Sequence, residues 1–168
     1  NGWTYTWIVT AAAALHVCLR QVDATTVYRL VNQERITLLC AAPTVLIAIA
    51  SGPEEGRMAL RRGVRVATAG APPAAATIER MEGELGWTLT QVYGLTEVSG
   101  PGTFLYPVDH SPEGARAGLL RSAGKPAGGA RLRIVDPVTL KDLPDGQTGE
   151  IWIETIRNLK EYWRNPQA

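Results

Sequence analysis

The feature that most constrains this chain is an alternation of apolar runs and helical segments along residues 1–93. Short apolar runs with few charged residues are typical of buried strands, and apolar residues spaced three or four apart are typical of amphipathic helices. Parallel strands need a long crossover connection, usually a helix, and are buried on both faces. The alternation therefore predicts an α/β fold, with a mostly parallel sheet and helices on both faces.

The predicted helices begin at a capping residue or proline, or are rich in alanine. They cover residues 3–14, 24–34 after Asp23, 44–50 after Pro43, and a segment after Pro73 that ends near Gly86. The predicted strands cover residues 16–19, 36–41, 64–67 and 87–93. Cys18 and Cys40 fall within two of these strands, so we expect both to be packed thiols.

The chain changes character near Gly94. From there to Gly149 it is dense in Gly and Pro and shows no helical period, whereas residues 131–135 alternate as a half-exposed strand does. A turn signal at Asp145-Gly146 precedes another predicted strand over residues 149–153. We therefore expect an α/β subdomain over residues 1–99, followed over residues 100–168 by a partial antiparallel β unit, both within one larger N-terminal domain.

Composition excludes several classes of protein. A net charge of +1 with no basic stripe argues against a nucleic-acid partner, and 45% hydrophobic residues argue against disorder. The uncharged stretch over residues 1–19 carries too many polar groups for a membrane span. Two cysteines cannot form a disulfide framework, which favours a reducing, cytoplasmic location.

Candidate chemistry lies where predicted strands end, which is where open parallel sheets bind ligands. Ala69-Gly70-Ala71-Pro72 would let a ligand approach the backbone closely, although an ordinary strand-to-helix connection has the same composition. Tyr93-Gly94-Leu95-Thr96-Glu97 offers an aromatic face, a hydroxyl and a carboxylate, the last being a ligand that Mg²⁺ prefers. The segment Gly124-Lys125-Pro126 indicates a loop in which Lys125 is a surface charge.

Taken in order, these segments resemble the AMP-forming acyl-CoA synthetases of the adenylate-forming superfamily. Val92-Tyr93-Gly94-Leu95-Thr96-Glu97 is similar to the Y-G-x-T-E motif, and Thr68-Ala69-Gly70-Ala71-Pro72-Pro73 to the G-A-P adenine-binding segment. Weaker similarities to family segments lie at Asn1-Gly2-Trp3, Ala41-Ala42-Pro43-Thr44, Ala123-Gly124-Lys125-Pro126, Gly129 to Asp136, Asp145 to Ile151, and Tyr162-Trp163-Arg164-Asn165-Pro166. The resemblance covers nearly the whole chain.

The resemblance implies a ligase that joins a carboxylic acid, fatty or small acyl, to ATP and then to coenzyme A. Thr96 and Glu97 would be catalytic, with Thr96 touching the phosphate and Glu97 holding Mg²⁺. Gly70, Ala71, Pro72 and Tyr93 would wall the adenine, and Gly94 would lie beside the reacting carboxylate. Trp3, Thr44 and Val45 would approach the acyl chain.

The resemblance also implies segments that this sequence does not contain: the phosphate loop with its Lys, the T-G-D ribose site and a small C-terminal domain. We therefore expect a fragment that is inactive alone and can self-associate. Thr155 and Glu161 stand where the family has glycines, and would be strained if those positions need positive φ. Two alternatives remain open: a non-catalytic nucleotide-binding or interaction domain on the same scaffold, and an aryl or amino-acid adenylating enzyme.

Overall fold

Three parallel strands continued by two antiparallel strands form the main sheet of the computed structural model, which describes residues 4–110, 119–165 and 167. The sheet has the order β1-β2-β3-β4-β5, with β1 Leu38–Cys40, β2 Arg65–Thr68, β3 Thr88–Leu95, β4 Gly100–Leu105 and β5 Lys125–Pro126. A separate antiparallel pair contains β6 Arg131–Val135 and β7 Glu150–Glu154. The helices are α1 Tyr5–Ala11, α2 Ala24–Gln33, α3 Pro43–Ala50, α4 Glu54–Met58 and α5 Ala75–Gly83.

The strand pairing confirms the predicted α/β class. β1 pairs with β2, and β2 with β3, in parallel, whereas β3–β4 and β4–β5 are antiparallel. β3 is longer than predicted because β4 pairs with its second half, from Gln91 to Leu95. The Gly- and Pro-rich sequence of β4 carries no strand signal, so this strand was missed.

The hydrophobic core lies between the sheet and helices α2, α3 and α5. Its most enclosed side chains, each at most 2% exposed, include Leu46, Ile49, Ile78, Met81, Trp87 and Leu89. The Asp23 carboxylate caps α2 by accepting a 2.8 Å hydrogen bond from the Thr26 N–H, as predicted for an N-cap. Burial of these apolar groups supplies the main favourable free energy of folding.

Helix α1 lies over the other face of the sheet. Successive strand residues point to opposite faces, so Arg65 and Ala67 face away from the core residue Val66. Together with Tyr5 and Ile8 of α1, Arg65 and Ala67 line a cavity of about 940 Å³. Helices therefore lie on both faces, as predicted, but α1 leaves a cavity between itself and the sheet.

The strand predicted over residues 16–19 is wrong, because this segment has no regular structure and Cys18 is exposed rather than packed. Helix α1 ends at Ala11, earlier than predicted, and Ala13 has a φ of 51° that turns the chain away from the helix. A strand is stable only beside another strand, and none of the described strands pairs with this run. Within the described ranges, no helix is long and apolar enough to cross a lipid bilayer.

Gly94 lies at an irregularity in the pairing of β3 with β4, where the register shifts between Tyr93 and Gly94. A Cβ atom at Gly94 would lie 2.2 Å from the Gly100 carbonyl oxygen and 3.1 Å from the Gly102 nitrogen. Both are backbone atoms, which cannot rotate aside as a side chain does. Glycine therefore allows the close approach of two strands here, and Gly94 belongs to a paired strand, not to a flexible loop.

We expect Gly94→Ala to lower the free energy of unfolding by about 2 kcal/mol or more, as overpacking of a filled site does. The matched control is Gly83→Ala at the end of α5, where an added Cβ meets nothing within 4 Å. This control should be neutral or stabilising by up to about 1 kcal/mol, because Ala favours a helix over Gly. Denaturant unfolding measures both, and equal stability of the two variants would contradict the proposed contact.

The cysteines give a second prediction. Burial raises the pKa of the Cys40 thiol to about 11, whereas Cys18 is exposed. Because the thiolate is the reactive form, iodoacetamide at pH 8 should alkylate Cys18 at least about tenfold faster than Cys40. The Cys40 rate should rise about tenfold per pH unit from pH 8 to 10, below its pKa. Mass spectrometry of timed samples measures both rates. The two rates should become similar in denaturant. A faster reaction at Cys40 than at Cys18 in the folded chain would refute the burial of Cys40.

Candidate functional site

The three parallel strands bring the candidate segments to one edge of the sheet. β1 ends at Cys40 and leads to Thr44, β2 ends at Thr68 and leads to Gly70, and β3 ends at Leu95 and leads to Glu97. Since parallel strands end at the same edge, all three segments lie there, where open α/β sheets bind ligands.

The segment after β2 exposes its backbone. Gly70 has a φ of 92°, a backbone conformation that residues other than glycine rarely adopt. A Cβ atom there would meet nothing within 4 Å. Gly70, Ala71 and Pro72 are exposed, whereas Pro73 is buried and anchors the approach to α5. A planar ligand can therefore lie against the Gly70–Pro72 backbone.

The segment after β3 is a short helical turn, Thr96–Val98, that projects two polar side chains from a buried anchor. Val98 is only 4% exposed, whereas Thr96 is exposed. The Ser99 N–H donates to the Thr96 carbonyl oxygen at 3.0 Å and closes the turn. This turn places Thr96 and Glu97 beside the end of β3.

Tyr93 and Glu97 line one cavity of about 350 Å³. Its other wall comes from β7 and the residues that follow it. The remaining lining residues are Leu95, Val98, Ile151, Ile153, Asn158, Leu159, Lys160, Glu161 and Tyr162. Two of the predicted site residues therefore share a cavity with a segment to which the sequence analysis assigned no role.

Two contacts join that segment to Glu97. The Tyr162 hydroxyl donates to Glu97 Oε1 at 2.6 Å, and the Leu159 N–H donates to the Glu97 carbonyl oxygen at 2.5 Å. The Tyr162 hydrogen bond, followed by one from the backbone N–H of Glu97 itself, lowers the pKa of the Glu97 carboxyl group. The same contact raises the pKa of the Tyr162 phenol. Glu97 is therefore a carboxylate at neutral pH, held on one oxygen by a neutral phenol.

A turn built on Thr155 and Asn158 carries the chain from β7 to these contacts. The Thr155 N–H and hydroxyl both donate to Asn158 Oδ1 at 2.9 Å, and the Asn158 amide donates to the Ile153 carbonyl oxygen at 3.1 Å. Neither Thr155 nor Glu161 has a positive φ. The two residues that replace family glycines are therefore unstrained, and Thr155 contributes its side chain to the turn.

Of the three residues expected near the acyl chain, the structure describes Thr44 and Val45. Trp3 lies outside the described residues. Thr44 is exposed at the first turn of α3, whereas Val45 is partly buried against the hydrophobic core. Neither Thr44 nor Val45 is among the residues that line the two cavities.

Lys125 has a structural partner that sequence reasoning missed. Its Nζ atom lies 2.8 Å from Oδ1 of Asp109, a carboxylate only 2% exposed. β5, which contains Lys125, pairs with β4. The ion pair thus ties the turn Pro107–Asp109, which follows β4, to β5, and Lys125 is not simply a free surface charge.

The carboxylate of Glu97 is a ligand type that Mg²⁺ prefers. Among residues 4–110, 119–165 and 167, no group of three or more His, Cys, Asp and Glu side chains is placed to hold an ion. Mg²⁺ does not need such a group, because one or two carboxylates and the substrate's phosphates usually hold it. The ionised Glu97 beside an open cavity therefore fits Mg²⁺ that arrives with a nucleotide.

Comparisons with known proteins show the family to which the chain belongs. The model of the family described as AMP-binding enzyme matches residues 1–163. A probable acyl-activating enzyme 9 from Arabidopsis thaliana is 39% identical over the whole chain, and the acetate–CoA ligase CCL3 from Humulus lupulus is 37% identical. The chain spans 31% of the length of each relative.

A solved structure gives the same result for the fold. The N-terminal domain of FACL13 from Mycobacterium tuberculosis superimposes with a TM-score of 0.80 at 27% sequence identity, over 98% of this chain and 40% of that one. Family match, relatives and fold agree across nearly the whole sequence, and the chain belongs to the AMP-binding enzyme family.

Proposed function

We propose that this chain supplies the adenine-binding and metal-binding part of an AMP-forming acid–CoA ligase. In the proposed reaction a carboxylate oxygen of the acid attacks the α-phosphorus of ATP, and pyrophosphate leaves. The sulfur of coenzyme A then attacks the acyl carbon of the adenylate, and AMP leaves with the electrons of the broken C–O bond. The products are the acyl-CoA thioester, AMP, pyrophosphate and the proton released from the thiol.

The observation that carries this proposal is the shared edge of the sheet. The exposed backbone of residues 70–72 follows β2, and Tyr93 and Glu97 belong to the neighbouring strand β3 and the turn after it. An aromatic face and an accessible backbone suit a planar base. An ionised carboxylate on the adjacent strand end suits the metal ion that accompanies a triphosphate.

Each residue would act by position and charge. Gly70, Ala71 and Pro72 would hold the adenine through their backbone, with Tyr93 packing on it. The Thr96 hydroxyl would donate a hydrogen bond to a phosphate oxygen, and Glu97 would hold Mg²⁺. Bound Mg²⁺ offsets the negative charge that develops on the phosphates. Gly94, near the end of β3, would lie beside the reacting carboxylate.

For the acid, we propose a small aliphatic carboxylate, a choice supported by the relative named an acetate–CoA ligase. Trp3, Thr44 and Val45 remain the proposed acyl-side residues. In assays of the longest gene product that contains this chain, acetate and butyrate should turn over faster than benzoate or palmitate. Preferential turnover of benzoate would instead favour an aryl-adenylating enzyme.

The Glu97→Gln variant tests the proposed reaction. Acid-dependent exchange of pyrophosphate into ATP should fall about a hundredfold or more, the typical loss when one group that stabilises the transition state is removed. Glu79→Gln is the matched control, since Glu79 is exposed on α5, lines neither cavity and has no proposed role. It should keep activity within about twofold of the unsubstituted protein.

The alternative of a non-catalytic domain on the same scaffold makes the opposite prediction. It expects no acid-dependent exchange in the unsubstituted protein, although AMP binding measured by calorimetry would persist. Exchange that is present and insensitive to Glu97→Gln would reject the assigned role of Glu97 while leaving the ligase activity in place.

A further inference from the structure

We propose that Tyr162 is a positioning residue for the metal-binding carboxylate of Glu97, so that the segment after β7 completes the site formed at the edge of the main sheet. This inference rests on the proposed function, because it assigns to Tyr162 an effect on the metal ion through Glu97. Tyr162 itself is not placed in contact with metal or substrate.

The Glu97 carboxylate can accept the Tyr162 hydrogen bond and bind a cation at the same time. The Tyr162 hydroxyl, 2.6 Å from Oε1, is a donor that satisfies one acceptor position of Glu97. A carboxylate has two oxygens and about four lone-pair positions, so a cation can still bind the group. A hydrogen bond to one oxygen restricts rotation of the carboxylate and thereby orients the remaining lone pairs.

The segment that carries Tyr162 is fixed independently of its hydroxyl. The Leu159 N–H contacts the Glu97 backbone, and the Arg157 guanidinium donates to the Pro101 carbonyl oxygen at 3.2 Å. The Thr155–Asn158 turn supplies further hydrogen bonds. The backbone can therefore stay in place when the hydroxyl of Tyr162 is removed, and this permits a clean test.

The exposure of the Tyr162 side chain argues that its role is not core packing. Tyr162 is 44% exposed, so its ring makes a limited contribution to the core. Tyr106 is similarly exposed, at 47%, and its ring stacks on Phe104 with centroids 5.4 Å apart. Tyr106→Phe is consequently a matched control for Tyr162→Phe: each removes one phenolic oxygen from a half-exposed ring, but only Tyr162 contacts Glu97.

The test measures binding of Mn²⁺, a paramagnetic substitute for Mg²⁺, to the longest gene product containing the chain, saturated with AMP. Electron paramagnetic resonance reports the free ion. Tyr162→Phe should raise the Mn²⁺ dissociation constant about tenfold or more, the usual range for a residue that orients a metal ligand. Glu97→Gln should raise it at least as much, the double variant should match Glu97→Gln, and Tyr106→Phe should leave it unchanged.

A second measurement separates positioning from loss of the segment. Hydrogen–deuterium exchange at the Leu159 amide reports whether the segment stays against Glu97. Unchanged protection in Tyr162→Phe together with weaker Mn²⁺ binding supports the proposal. Faster exchange accompanying the weaker binding would overturn it, because the tyrosine would then act by docking the backbone.

Failure of this inference is distinguishable from failure of the proposed function. If Glu97→Gln weakens Mn²⁺ binding and Tyr162→Phe does not, Tyr162 has no positioning role and the metal-binding role of Glu97 stands. If Glu97→Gln leaves Mn²⁺ binding unchanged, that role is refuted and the inference falls with it. A double variant weaker than Glu97→Gln would show that Tyr162 acts by another route, which also overturns the proposal.

Discussion

Parallel hydrogen bonding among β1, β2 and β3 is the constraint on which the candidate site depends. It aligns Cys40 with Ala67, and Thr68 with Gln91, so that the chain leaves each strand at the same edge. The helices that connect the strands bury their apolar residues against one face, which leaves the loops at the strand ends free to carry polar groups. Residues that are far apart in sequence meet because of this register.

Antiparallel pairing with β4 adds a second constraint at the same edge. β4 returns along β3 and brings the Gly100 carbonyl oxygen against Gly94, which fixes the direction in which Thr96 and Glu97 leave the sheet. The carboxylate is thus placed by backbone contacts on both sides of a tight turn. The backbone at the base of the site is therefore set by strand pairing.

Sequence periodicity predicted the parallel half of the fold because its helices and strands have strong local signals. Asp23 capping α2 and Pro43 opening α3 are examples in which a local rule and the packed structure agree. Its errors arose where a partner strand decides the outcome. Residues 16–19 have a strand-like composition but no partner, whereas β4 has a poor composition and two partners.

In the candidate site, too, some residues could be identified from local sequence and others could not. Motif resemblance singled out Tyr93 and Glu97, which the structure does bring to one cavity. It assigned nothing to Tyr162, because a hydrogen bond across most of the β-rich region has no signature in local sequence. The only available signal was the similarity of the segment around Tyr162 to a family motif whose role the residues themselves do not reveal.

The hydrogen bond between Glu97 and Tyr162 spans 65 positions of the chain. Contacts of such separation form late in folding, because the loop between them must close before they contribute favourable energy. The sheet and its helices can assemble from nearer contacts, so we expect the carboxylate to reach its final orientation last. During synthesis, the nascent chain would then form the scaffold proposed to bind nucleotide before it orders the carboxylate proposed to hold the metal ion.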